Sequence, residues 1–208
     1  NIRQSIGDNE KIHYFEGTAL FEAPDRISVG DEILAGEKVV ICTGARTQIP
    51  PVNGLSEVPY LTSTTALELQ QLPESLVIIG GGIIAVEFAQ MFAAFGVQVT
   101  ILQRSPRIIP NVEPELSAGI HAILERDGVN IITGADIRSV QRDKNGVKVS
   151  LTVPDGEKSL TAERLMVATG RAPNTDRLQL AKAGVETDQR GYIKVDHAFR
   201  TTVPGIWA

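Results

Sequence analysis

Apolar residues along this chain follow two different periods. Ser75-Leu76-Val77-Ile78-Ile79 is a short, nearly continuous apolar run, the pattern of a parallel strand covered on both faces. After three glycines, Ile84, Phe88, Met91, Phe92 and Phe95 recur at helical spacing, and Gly96 suits the helix C-terminus. Val97 to Leu102 reads as a second strand. Pro114 suits the first position of a helix that runs to Asp127 and stops at Gly128, and Val129 to Thr133 reads as a third parallel strand. Ahead of Pro73, Thr65-Ala66-Leu67-Glu68 has capping-box spacing, which predicts a short helix from Thr65 to Leu72. From Ile137 to Val153 the period falls to two, as in an antiparallel meander, and Leu165 to Thr169 returns to the parallel sheet.

Two stretches resemble each other. The first runs from Gly17 through a hairpin-like segment to Val39-Val40-Ile41-Cys42-Thr43-Gly44-Ala45-Arg46. The second runs from Gly134 through turns at Asn145-Gly146 and Pro154-Asp155-Gly156 to Leu165-Met166-Val167-Ala168-Thr169-Gly170-Arg171. Each is a meander, then an apolar strand ending in Thr-Gly, then a crossover bearing proline. The expected fold is α/β: a Rossmann-like, doubly wound parallel sheet with an antiparallel β-meander, accompanied by part of a second, related domain. The expected divisions are 1–63, 64–170 and 171–208. Both ends read as interior chain, since Asn1 to Asn9 holds no start signal and Ile206-Trp207-Ala208 stops as a strand-like run begins.

Composition narrows the partners. With 208 residues, 42% hydrophobic and 22% charged, the chain reads as soluble and globular. A net charge of -5 leaves no broad electropositive surface, which argues against nucleic acid and anionic membrane as partners. No apolar run reaches the roughly 18 residues a membrane span needs. The single cysteine, Cys42, cannot form an internal disulfide and suits a reducing, cytoplasmic setting. Its place in an apolar strand predicts a small buried hydrophobe. His13, His121 and His197 lack ligand spacing, so neither a metal site nor a catalytic residue is assigned.

The chemistry is concentrated in Gly80-Gly81-Gly82-Ile83-Ile84-Ala85. Strand, G-x-G-x-x-A, helix and strand in that order form the dinucleotide fingerprint in its required context, whereas the same letters alone describe an ordinary glycine turn. Gly80 permits the turn, Gly82 lets the backbone approach a pyrophosphate, and Ala85 keeps the helix near the strand; Gly81, Ile83 and Ile84 complete the candidate turn. The helix N-terminus offers free amides and a positive dipole end to the phosphates. About 20 residues on, where a carboxylate would accept the ribose 2'-hydroxyl, stands Gln103, followed by Arg104 and Arg107. A guanidinium pairs with a 2'-phosphate that a carboxylate repels, so NADPH is expected over NADH. Arg107, and less so Arg104, also reads as a side chain on a solvated loop. Ile137 reads either as an adenine contact or as plain core.

Gly80 to Ala89 and Ala168-Thr169-Gly170-Arg171-Ala172-Pro173-Asn174-Thr175 together resemble the signatures of the pyridine nucleotide-disulfide oxidoreductases, which include glutathione reductase, dihydrolipoamide dehydrogenase and mercuric reductase. The resemblance covers essentially the whole chain. Pro59 to Leu67, Gln103 and Arg104 look most like the mercuric reductase branch. It implies that 1–63 and 171–208 belong to an FAD-binding domain and that 64–170 binds NAD(P). It also implies that Thr43, Gly44 and Ala45 contact FAD, that Ile83 covers the nicotinamide pocket, and that Glu87 stands beside nicotinamide and flavin. Otherwise Glu87 is a charge on a helix face. Gly170 and Arg171 match positions near the cofactor, with Arg171 read equally as a tie between domains.

Some family features fall outside this sequence: the redox-active C-x-x-x-x-C pair, the Ala-Gly-Asp that holds the flavin side chain, and the dimerisation domain with its histidine. The implied whole is a cytoplasmic homodimer passing hydride from NADPH to FAD and on to a dithiol, while this chain alone binds nucleotide without turnover. Alternatives are a dihydrolipoamide dehydrogenase-like or glutathione reductase-like enzyme, a non-catalytic nucleotide-binding module, and a flavin-free NADP dehydrogenase, which would leave the first repeat unexplained.

Overall fold

The structure, a computed structural model, describes residues 11–144 and 146–208; Asn145, expected in a turn, and the leading Asn1 to Asn9 lie outside the described residues. The strands in chain order are β1 (Ala19–Ala23), β2 (Arg26–Val29), β3 (Glu32–Ala35), β4 (Val39–Val40), β5 (Ala45–Thr47), β6 (Ser75–Ile79), β7 (Gln98–Gln103), β8 (Asn130–Thr133), β9 (Asp136–Asp143), β10 (Gly146–Val153), β11 (Gly156–Ala162), β12 (Arg164–Val167), β13 (Arg171–Pro173) and β14 (Ile206–Trp207). The helices are α1 (Ile83–Ala94), α2 (Pro114–Arg126) and α3 (Leu180–Ala183). The chain divides into two compact units, 47–171 and the pair of segments 1–46 and 172–208.

The larger unit is built on a parallel sheet in the order β12-β6-β7-β8. Strand β6 is central, and its alternate side chains enter two separate apolar clusters. Leu76 and Ile78 pack with Ala85, Ala89, Phe92, Ile101 and Leu124 on the helical side. Val77 and Ile79 pack with Val140, Val149, Leu151 and Leu165 on the side of the meander β9-β10-β11. A strand sandwiched this way must be apolar where it is covered on both faces, which is why Leu76 to Ile79 carries no alternation.

Helix α1 turns Ala85, Ala89 and Phe92 into the core. The more strongly apolar Ile84, Phe88 and Met91 flank that row half-buried, and Phe95 is 60% exposed beyond the last turn. Small alanines against the sheet let the helix axis come close. Both long helices end in a Schellman motif. Gly96 donates to Ala93 O and Val97 to Phe92 O; Gly128 donates to Glu125 O and Val129 to Leu124 O. The glycines take the left-handed φ values, 85° and 87°, that the motif requires.

The helix expected from Thr65 to Leu72 is instead a single 3-10 turn, Thr65–Glu68. Thr62 and Thr65 satisfy each other first: Thr62 N–H donates to Thr65 Oγ1 and Thr65 N–H to Thr62 Oγ1, at 2.9 and 3.3 Å. Glu68 makes no capping bond to Thr65, and Leu69 is already extended. The chain before this turn is also part of the larger unit. Leu55 and Val58 are buried, and Leu61 bonds both Leu165 O and the Val167 amide of β12. The compact unit that holds the parallel sheet begins at Thr47.

In the smaller unit β1, β2 and β3 form a meander, and β4 pairs in parallel with β14. Phe21, Leu178, Leu180, Ala183, Val185 and Ile206 make its core. Cys42 is exposed, contrary to the burial expected of it, because β4 pairs only with β14 among the described residues, a two-stranded sheet that leaves even Val40 66% exposed. No helix among the described residues is long and apolar enough to cross a membrane.

Candidate functional site

The chain leaves β6 towards β7 and β8, then crosses to β12 on the other side of β6. That reversal creates a crevice at the carboxyl ends of β6 and β12, the place where open α/β sheets bind ligands. Gly80 stands there with φ 106°. Its amide donates to Leu102 O at 2.9 Å, and a β-carbon on it would lie 2.7 Å from the Ala168 carbonyl carbon. Only glycine fits a turn pressed this tightly against the neighbouring strand.

Gly81 is buried and held on both sides. Its N–H donates to Gln103 Oε1 at 3.0 Å, and its carbonyl accepts from Ile109 N–H at 2.7 Å. A β-carbon here would meet Gln103 Cβ at 2.9 Å. Gly82 is different: its backbone is extended, and nothing lies within 4 Å of where a β-carbon would sit. Helix α1 starts immediately, and Val86 is the first residue to donate back, to Gly82 O at 3.1 Å. The amides of Gly82, Ile83, Ile84 and Ala85 have no acceptor among the described residues, as at any helix start. An open glycine face beside free amides at a positive dipole end is a cradle that fits an anionic diphosphate.

The remaining candidates sort themselves around this turn. Ile83 is 62% exposed, and Glu87, one helical turn on, is exposed too. Gln103 points inward, its Nε2 donating to Arg107 O at 3.3 Å. Arg107 donates through Nη2 to Pro110 O at 2.9 Å and to Val112 O at 3.4 Å, so its guanidinium closes its own loop. Arg104 is exposed with no partner among the described residues. Ile137 is half-buried and packs on the meander-side core, which corresponds to the plainer of its two readings.

Gly170 lies at the end of β12 with φ 136°; its carbonyl accepts from Gln48 N–H, and Thr169 Oγ1 donates to Gln48 O. Arg171 follows on the surface. In the smaller unit Thr43 and Gly44 are exposed, with Ala45 half-buried beside them. The Thr43 and Gly44 carbonyls accept from the side chain and backbone of Asn174 at 2.9 and 3.0 Å. Gly44 has φ 64° and, like Gly82, open space above its α-carbon.

Sequence reasoning missed Ile109, Gln48 and Ala168. Ile109 is buried with φ 41°, a conformation strained for a β-branched residue, and no sequence signal marks it. Gln48 and Ala168 act through backbone atoms, which any side chain could supply. Among the described residues no group of three His, Cys, Asp or Glu side chains is placed to hold a metal ion.

A parallel sheet with a glycine turn at its switch point is a Rossmann-like fold, and the chain belongs to the pyridine nucleotide-disulphide oxidoreductase family, whose pattern it matches over residues 1–208. Among curated relatives it is 43% identical over 197 residues to a mercuric reductase of Streptomyces lividans, covering 92% of this chain and 41% of that protein. It is 35% identical to a glutathione reductase of Burkholderia cepacia, covering 100% of this chain and 45% of the relative. Among solved structures it is similar to the HOCl-induced flavoprotein disulfide reductase RclA from Escherichia coli, with a TM-score of 0.87 and 35% identity, covering 99% of this chain and 47% of the other. The chain thus spans less than half the length of these relatives.

Proposed function

We propose that this chain is the nicotinamide-nucleotide-binding part of an FAD-dependent disulfide reductase, with segments of the FAD-binding domain at 1–46 and 172–208. The nucleotide supplies a hydride that FAD accepts. The observation that carries the reading is the Gly80 to Gly82 turn, with an open face at Gly82 and free amides at the start of α1. Those amides bind and orient the pyrophosphate; Ile83 and Glu87, on one exposed face of α1, stand towards the nicotinamide end. In the same reading Thr43, Gly44 and Ala45 bind the flavin, and Gly170 and Arg171 stand near it.

NADPH is the preferred nucleotide, because no carboxylate occupies position 103 and Arg104 is free to pair with a 2'-phosphate. The mercuric-reductase-like branch, with mercuric ion as final acceptor, is favoured by the 43% identity to the Streptomyces lividans enzyme. A homodimer acting in the cytoplasm completes the proposal. Stopped-flow reduction of the flavin in the full-length protein tests it: NADPH should bleach the flavin faster than NADH at equal concentration. Bleaching by neither would refute the oxidoreductase reading, and equal rates would refute the cofactor preference.

A further inference from the structure

The strand-end residue Gln103 sits where a nucleotide-binding sheet would present a ribose contact, yet both ends of its side-chain amide are engaged inside the protein. Oε1 accepts the buried Gly81 N–H at 3.0 Å and Nε2 donates to Arg107 O at 3.3 Å. The residue is almost fully buried. Its aliphatic carbons fill the space a Gly81 side chain would need, so the middle glycine and the glutamine are sterically matched. The next peptide, which joins Gly81 to Gly82 and carries the Gly82 N–H, is held by Ile109, whose N–H reaches Gly81 O at 2.7 Å from a left-handed φ of 41°. Ile109 stays in that strained conformation because its side chain is buried and its neighbour Ile108 is anchored through its carbonyl to Ser117 Oγ of α2 at 2.7 Å. Arg107 closes the loop onto the Pro110 and Val112 carbonyls.

The consequence is geometric. The Gly82 N–H lies in the plane of the Gly81 carbonyl that Ile109 holds, while Gln103 fixes the preceding peptide through the Gly81 N–H and, through Nε2 on Arg107 O, the loop that presents Ile109. Without Gln103 the Gly80–Gly81 peptide and the loop from Arg107 to Ile109 would both lose their tie to the end of β7, and the cradle would have to be ordered when ligand arrives. We propose that Gln103 is a positioning residue that fixes both peptides flanking the Gly81 α-carbon, one directly and the other through the loop from Arg107 to Ile109, so that the Gly82 and Ile83 amides face a pyrophosphate, and that it reads nothing at the ribose. The inference rests on the dinucleotide reading of the turn. It separates two tasks that the neighbouring residues were expected to share: Gln103 supports what all dinucleotides have in common, and Arg104 distinguishes the 2'-phosphate.

The test compares NADPH and NADH affinities of the full chain and its Gln103→Leu variant, together with amide hydrogen exchange of the unsubstituted protein. Loss of the clamp should weaken both nucleotides by the same factor, about fivefold, with the NADPH to NADH preference unchanged. In the unsubstituted protein without ligand, the Gly81 amide should exchange slowly while those of Gly82 and Ile83 exchange fast and slow down only when NADPH is added. A change in NADPH affinity alone would mean that Gln103 senses the 2'-substituent and would overturn the proposal. Unchanged affinity for both would reduce Gln103 to core packing and overturn it equally. If the leucine variant does not fold, the exchange measurement decides, and a Gly81 amide that exchanges as fast as Gly82 contradicts the clamp. Failure of the unsubstituted protein to bind either nucleotide, with Gly81 still protected, would instead remove the dinucleotide reading on which the proposal stands.

Discussion

Gly80 and Ala168 meet back to back at the carboxyl ends of two neighbouring parallel strands, so close that a β-carbon on Gly80 would lie 2.7 Å from the Ala168 carbonyl carbon. Gly82, two residues on, faces open space. The two glycines therefore answer differently to the same substitution. Gly80→Ala forces an L-residue into φ 106° and pushes β12 away, which should cost about 2 to 4 kcal/mol in urea unfolding. Gly82→Ala meets no atom and should change stability by less than about 1 kcal/mol, yet weaken NADPH binding on the order of tenfold or more by placing a methyl group in the cradle.

Arg104 and Arg107 offer a second contrast. Arg107→Ala removes the bond to Pro110 O and should lower stability by about 1 to 2 kcal/mol while leaving the NADPH to NADH preference where it was. Arg104→Ala should leave unfolding unchanged and reduce NADPH affinity by roughly ten- to a hundredfold, with NADH unaffected. Fluorescence titration of both variants with both nucleotides checks the pair.

Acid should act on the smaller unit through four of its carboxylates. The hydrogen bond from Arg46 holds Asp176 below the ordinary carboxylate range, the bonds from Lys182 and Lys194 do so for Glu22 and Glu186, and the Arg200 amide does so for Asp196. A carboxyl lowered in the folded state binds its proton more readily when unfolded. Its contribution is thus present above about pH 4 and is lost as pH falls through the lowered folded values. The protection of 19–46 and 172–208 against hydrogen exchange, taken relative to the intrinsic exchange rate at each pH, should therefore fall between about pH 4 and pH 2, and because these pairs are exposed, molar salt should shrink the effect.

Much of the fold was legible because single residues carry it. The unbroken apolar run at Leu76 to Ile79 means burial on both faces, and Gly96 and Gly128 mark helix ends that only a left-handed residue completes. The 3-10 turn at Thr65 was not legible, since Thr62 competes for the same hydroxyl that the capping pattern assigns to Thr65. Cys42 was misplaced because its apolar neighbours suggested a covered strand, whereas β4 pairs only with β14 among the described residues. At the site, the glycines could be read from spacing, but the inward turn of Gln103 and the loop-closing bonds of Arg107 could not. Both depend on where the segment between β7 and α2 folds back, which no periodicity records.

A dinucleotide resting on the amides of Gly82, Ile83 and Ile84 is tested most directly by titrating NADPH, and NADH in parallel, while following heat and backbone amide resonances together. The prediction is saturable binding with Kd on the order of micromolar for NADPH, and shifts concentrated at Gly80 to Ala85 and Arg104. No heat with either nucleotide, or shifts that leave the glycine turn untouched, would contradict it.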